Sequence, residues 1–124
     1  MRRKTIMVVA LTALLVALVA IPAVAVNKVC GPTANPCNGT DDSDYLAERV
    51  GRVSDRIFGY NANDVLDANN YRNDQDRLNA GKGRDRLYTN DTDTRDRAEG
   101  GRGRDVCYID AGDSTRSCER VLTF

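Results

Sequence analysis

Beyond residue 25 the apolar positions of the repeated stretch come one at a time, each two places after an aspartate. The copies are Asp44-Tyr45-Leu46, Asp55-Arg56-Ile57, Asp64-Val65-Leu66, Asp76-Arg77-Leu78, Asp85-Arg86-Leu87, Asp96-Arg97-Ala98 and Asp105-Val106-Cys107. Successive aspartates are 11, 9, 12, 9, 11 and 9 residues apart, so alternate copies recur every 20 or 21 residues. No stretch sustains an apolar period of 3.6, which leaves no amphipathic helix here. A double period predicts a coil of about 20 residues carrying two short strands and stacked on its neighbours. Strand side chains alternate between faces, so the apolar residue two after each aspartate points inward. The inward set is Leu46, Leu66, Leu87 and Cys107 on one wall, and Ile57, Leu78 and Ala98 on the other. The expected fold is all-β: a right-handed parallel β-roll, or β-solenoid, of about four coils with two short strands in each.

Residues 1–25 follow another pattern. Arg2, Arg3 and Lys4 precede an almost wholly apolar run from Thr5 to Ala20, and Pro22 stands before Ala23-Val24-Ala25. This is the layout of a secretory signal peptide cleaved after Ala25. An apolar run of about 20 residues is also long enough for an uncleaved anchor, but the proline and the small-residue site favour cleavage. The expected organisation is therefore a leader at 1–25, an N-terminal cap or loop at 26–38, a repeat array at 39–113 and a C-terminal cap at 114–124. The mature chain would be secreted, with no stable membrane insertion.

Loss of the leader removes three basic residues, leaving 15 Lys and Arg against 18 Asp and Glu, a net charge of −3. That balance argues against a nucleic-acid partner. Thirteen of those bases are Arg and 15 of the acids are Asp. Arg beside Asp in a repeated turn is expected to pair laterally with neighbouring coils as solvated salt bridges. The chain has no His, and its aspartates recur too evenly to mark one catalytic centre, so no enzymatic activity is expected.

Cys30, Cys37, Cys107 and Cys118 suit two disulfides in an exported chain. Four cysteines allow three pairings, of which proximity favours Cys30 with Cys37 and Cys107 with Cys118. Without His or a C-x-x-C spacing, zinc is not expected.

The turns before the aspartates carry the chemistry. The stronger copies read Gly39-Thr-Asp-Asp-Ser-Asp44, Gly59-Tyr-Asn-Ala-Asn-Asp64, Ala80-Gly-Lys-Gly-Arg-Asp85 and Gly100-Gly-Arg-Gly-Arg-Asp105. The last, continued through Tyr108, fits G-G-x-G-x-D-x-U-x if Cys107 counts as apolar. In these residues the chain resembles the hemolysin-type (RTX) calcium-binding repeats of secreted bacterial proteins. The resemblance implies a β-roll with Ca2+ between stacked turns on the same side. Carried over, the metal ligands are Asp44, Asp64, Asp85 and Asp105 on one side, and Asp55, Asp76 and Asp96 on the other.

Glycine tolerates positive φ, so glycines at the first, second and fourth positions would let the turn tighten and expose carbonyl oxygens. Calcium takes six to eight oxygens at about 2.3–2.6 Å, which two turns together can supply. The glycine frame is fullest at Ala80 and Gly100, which makes Asp85 with Asp105 the expected tightest pair, with Arg84 and Arg104 splayed outward. On the other side Tyr71–Asp76 and Asp91–Asp96 hold no glycine, and Asp74, Asp91 and Asp93 are extra carboxylates that can stand in for carbonyl ligands. The function expected is that of a secreted calcium-binding repeat protein, its ions bridging the turns. A calcium-independent structural or adhesive solenoid is the alternative.

Overall fold

A computed structural model describes residues 24–30, 34–48 and 53–124. The expected leader falls, up to residue 23, outside the described residues. Every regular element among them is a strand: β1 (Asn27–Val29), β2 (Cys37–Asn38), β3 (Tyr45–Ala47), β4 (Arg56–Asn61), β5 (Val65–Asp67), β6 (Arg77–Gly83), β7 (Arg86–Tyr88), β8 (Arg97–Gly103), β9 (Val106–Ile109), β10 (Ser114–Arg116) and β11 (Arg120–Thr123). Odd-numbered strands form one sheet in the order β1-β3-β5-β7-β9-β11, even-numbered strands a second in the order β10-β8-β6-β4-β2, and all pairs are parallel. The chain alternates between sheets at every turn, which makes a parallel β-solenoid of about four coils.

Register confirms the two inner walls. Leu46, Leu66, Leu87 and Cys107 stand rung on rung, as do Ile57, Leu78 and Ala98, and all seven are at most 1% exposed. Each leucine or isoleucine so buried contributes about 1.5–3 kcal/mol. The stack runs beyond the array expected from the repeats. β1 and β2 extend both sheets at one end, β10 and β11 at the other, so the terminal segments cap the core by adding rungs.

Disulfides Cys30–Cys37 and Cys107–Cys118 fasten these terminal rungs, and no described cysteine is free. Chain entropy gives loops of 7 and 11 residues about 2–3 kcal/mol of stabilisation each. An aromatic stack, Tyr88 on Tyr108 at 4.5 Å and Tyr108 on Phe124 at 6.4 Å between ring centroids, runs over the outside of the odd sheet. The expected lateral salt bridges are largely missing. Among the described residues the one ion pair is Arg97 with Glu99 at 3.8 Å, because the arginines stack on each other across strands and the repeat aspartates point inward.

Candidate metal-binding turns

Each repeat aspartate occupies the corner immediately before a strand. There the chain leaves one sheet for the other, and the corner N–H lacks a ladder carbonyl. The next coil's aspartate replaces it. Asp44 N–H donates to Asp64 Oδ1 at 2.8 Å, Asp64 N–H to Asp85 Oδ1 at 2.7 Å, and Asp85 N–H to Asp105 Oδ1 at 2.9 Å. On the other side Asp55 N–H donates to Asp76 Oδ1 at 2.6 Å and Asp76 N–H to Asp96 Oδ1 at 2.8 Å. Corner carbonyls accept in turn, Asp44 O from Val65 N–H and Asp55 O from Arg77 N–H, both at 2.8 Å. The two columns satisfy a buried backbone group that would otherwise be orphaned.

All seven predicted site residues are buried, at no more than 3% exposure. One oxygen of each of Asp64, Asp85, Asp105, Asp76 and Asp96 is committed to the ladder; the second, Oδ2, has no hydrogen-bond donor. Asp44 differs, since Thr40 N–H donates to its Oδ2. The first glycine of the turn serves these carboxylates by lacking a side chain. A Cβ on Gly39, Gly59 or Gly100 would lie 2.5, 2.3 or 2.7 Å from the Oδ2 of Asp44, Asp64 or Asp105, and none of the three has positive φ. Positive φ belongs to the second and fourth glycines: Gly81 (+102°), Gly83 (+156°), Gly101 (+104°) and Gly103 (+149°). One coil earlier, Tyr60 and Ala62 adopt φ of 84° and 72° without that freedom. Arg84 and Arg104 are exposed, as expected.

Withdrawal from water favours the uncharged carboxyl. Burial raises Asp64 to about 6, Asp85 to about 7 and Asp96 to about 8, each opposed by the N–H its carboxylate accepts and pushed further by neighbouring carboxylates. Asp105 is raised for the same first reason.

Two groups of three carboxylates converge so that one oxygen from each lies within 4.8 Å of the others: Glu48 with Asp55 and Asp76, and Asp74 with Asp91 and Asp93. The first is deep in the core. Glu48 Oε1 accepts the N–H of Tyr71 at 2.8 Å and that of Asn70, while Glu48 Oε2 and Asp76 Oδ2 have no donor. Burial raises Glu48 and Asp76 well above the ordinary carboxylate range, the chemistry of a pair that shares a proton.

The second group spans two adjacent turns beside an open depression of about 570 Å3, lined in part by Asp74, Asp93, Ser54 and Arg95. Asp74 is 9% and Asp91 6% exposed. Neither oxygen of Asp74 makes a hydrogen bond of ordinary distance and angle, the N–H groups of Asp74 and Val53 lying only near enough to favour its charge, and Asp91 Oδ2 and Asp93 Oδ1 are unpartnered. The remaining oxygens fix the geometry: Asp93 Oδ2 accepts Asn73 N–H at 2.6 Å and Asp91 Oδ1 accepts Asp93 N–H at 3.1 Å. Desolvation, with the charge of Asp93, raises both Asp74 and Asp91, the latter to about 6. Asn73 (φ 67°) and Thr92 (φ 81°) hold left-handed backbone beside these carboxylates. Positive φ in a β-branched residue such as Thr92 is a steric outlier.

The structure thus brings Asp55 and Asp76 into one cluster and arranges Asp44, Asp64, Asp85 and Asp105 as a ladder; among the described residues no third carboxylate converges on that ladder. Sequence reading missed Glu48, Asp113 and Glu119. Glu48 follows β3 in register with Ala68, Thr89 and Ile109, a column too mixed to read as a motif. Asp113 and Glu119 close the two ladders, accepting Asp96 N–H at 3.1 Å and Asp105 N–H at 2.7 Å. They sit 17 and 14 residues on, inside coils shorter than the repeat period, and only an acidic residue before each final strand hinted at them. Comparison with protein-family models, curated proteins and solved structures found no match to this chain.

Proposed function

We propose that this is a secreted calcium-binding β-solenoid in which calcium neutralises acidic turns and so stabilises the stack outside the cell. The observation that carries this reading is Asp74, a buried carboxylate with one oxygen within 4.8 Å of oxygens of Asp91 and Asp93, beside an open depression. Three carboxylates with unpartnered oxygens suit a hard divalent cation, and water from the depression can complete six to eight ligands. Zinc would call for nitrogen or thiolate donors, which the cluster lacks. The bare Oδ2 atoms of Asp85 and Asp105 offer a second, sparser position, in line with the RTX-like turns that precede them. Two disulfides fit an oxidising compartment and agree with the leader-like N-terminus.

A calcium-independent structural or adhesive solenoid is the second reading. It is favoured by the ladder itself, where Asp64, Asp76, Asp85, Asp96 and Asp105 each already accept a backbone N–H within the fold. Isothermal titration with calcium separates the two. Asp74→Asn keeps an acceptor oxygen for the backbone N–H groups of Asp74 and Val53 beside it, and it should weaken calcium binding at least about tenfold, while exposed Asp41→Asn leaves it unchanged. Absence of calcium heat in the parent at millimolar concentration, or equal affinity in Asp74→Asn, overturns the calcium reading.

A further inference from the structure

The outer face of the even sheet carries charge of the opposite sign to its interior. Arg56, Arg77 and Arg97 stand directly opposite one another on β4, β6 and β8, all exposed. Neighbouring strands are about 4.8 Å apart, and like charges in directly opposed positions destabilise a sheet. Among the described residues neither Arg56 nor Arg77 has an ion-pair partner, and Arg97 has Glu99 alone at 3.8 Å. Five residues along the same strands, Lys82 and Arg102 form a second exposed basic row, again in register.

Between them the face is shallow and largely uncharged. Two depressions of about 330 and 370 Å3 run along it, floored by Phe58, Asn79, Glu99, Gly81 and Gly101, with Tyr60 at the edge. The rings of Phe58 and Tyr60 lie 6.3 Å apart at 22°, half-buried and exposed respectively. Gly81 and Gly101 leave a flat strip over which a ring can lie. With Arg116 of β10 in register with Glu99, the face carries six cations against Glu99 and, at the far end of the second row, Asp41, in a chain of net charge −3 after the leader.

We propose that this face binds a linear anionic polysaccharide lying along the solenoid axis, its acidic groups on the arginine row and its sugar rings on the aromatic and glycine floor. A chain laid along the axis meets the same side chain at every rung, and an extended pyranose unit advances by nearly the strand spacing. Arg offers a fork that matches a carboxylate or sulfate. Asn79 and Glu99 supply an amide and a carboxylate for sugar hydroxyls, and Glu99 disfavours a partner as densely charged as a nucleic acid. This inference stands apart from the calcium reading, since none of its residues belongs to the acidic clusters.

Short oligogalacturonates, each sugar bearing one carboxylate, are the probe, titrated into the oxidised mature chain, with their methyl esters as the neutral control. The parent should bind the acid form, more weakly as ionic strength rises, and ignore the ester. Arg56→Gln/Arg77→Gln/Arg97→Gln should lose about tenfold or more in affinity with an unchanged circular dichroism spectrum. Arg86→Gln/Arg120→Gln, which removes charge from the other sheet, should leave binding intact. No binding by the parent, equal loss in both sets of variants, or equal affinity for duplex DNA or anionic phospholipid vesicles would overturn the proposal. Should the triple variant not fold, Arg77→Gln alone must still weaken binding more than Arg86→Gln does.

Discussion

Replacing Asp85 by Asn separates the two duties of a ladder aspartate. Its Oδ1 accepts the N–H of Asp64 at 2.7 Å, a bond that Asn can keep; its Oδ2 is buried and without a donor. Burial raises the native carboxyl to about 7, whereas an unfolded aspartate titrates near 3.9. The native state then holds its proton more tightly, so this group's contribution is complete below pH 4 and is lost as pH rises to about 7. Each pH unit in that window is worth up to about 1.4 kcal/mol. Taking roughly half of the full span, to allow for solvent and protein relaxation, gives about 2 kcal/mol. Asn does not titrate. In chelator, Asp85→Asn should match the parent at pH 4 and exceed its stability by about 2 kcal/mol at pH 8, a melting difference of roughly 10 °C. Asp85→Ala also deprives a buried N–H of its acceptor and should be less stable than Asp85→Asn by about 1–3 kcal/mol at both values. Thermal unfolding followed by far-UV circular dichroism reads all three proteins. An Asn variant that is less stable than the parent at pH 8, or whose difference is the same at both values, would refute the reasoning.

Ala62→Gly relieves a left-handed φ of 72° at a position equivalent to Gly83, and should raise stability by about 0.5–1 kcal/mol in denaturant unfolding. Cys107→Ala/Cys118→Ala opens the loop that holds β11 onto β9 and should cost about 2–3 kcal/mol in the same assay. Calcium must displace protons from carboxyls raised by burial, Asp91 to about 6 among them. Titration at pH 6 in buffers of different ionisation enthalpy should therefore register proton release, and Asp74→Asn should lower it.

The repeat announced the core because both its periods are mechanical. Leu46, Leu66, Leu87 and Cys107 fall on one wall since a strand alternates every two residues and a coil closes every 20 or 21. From the sequence the aspartates are expected to line the turns as calcium ligands. Their hydrogen-bonding role is not legible there, because a corner N–H without a ladder partner exists only once the coils are stacked. The first glycine was read as a source of positive φ, although at Gly59 it is the missing Cβ beside Asp64 that matters. Asp74 meets Asp91 and Asp93 across neighbouring turns, and composition could name these residues without placing them together. Arg56, Arg77 and Arg97 each follow an aspartate in sequence, which suggested salt bridges; burial of that aspartate on the opposite face leaves the arginines facing one another.

The melting temperature of the oxidised mature chain at pH 7.4, measured against free calcium and then after chelator, tests most directly whether a cation holds this stack together. Calcium at a hundredfold its dissociation constant should add about 2.7 kcal/mol, raising the melting temperature by roughly 10 °C, and chelator should reverse the shift. A melting temperature that stays constant from chelator to millimolar calcium would contradict it, and would leave the aspartate ladder as a hydrogen-bonded frame that needs no ion.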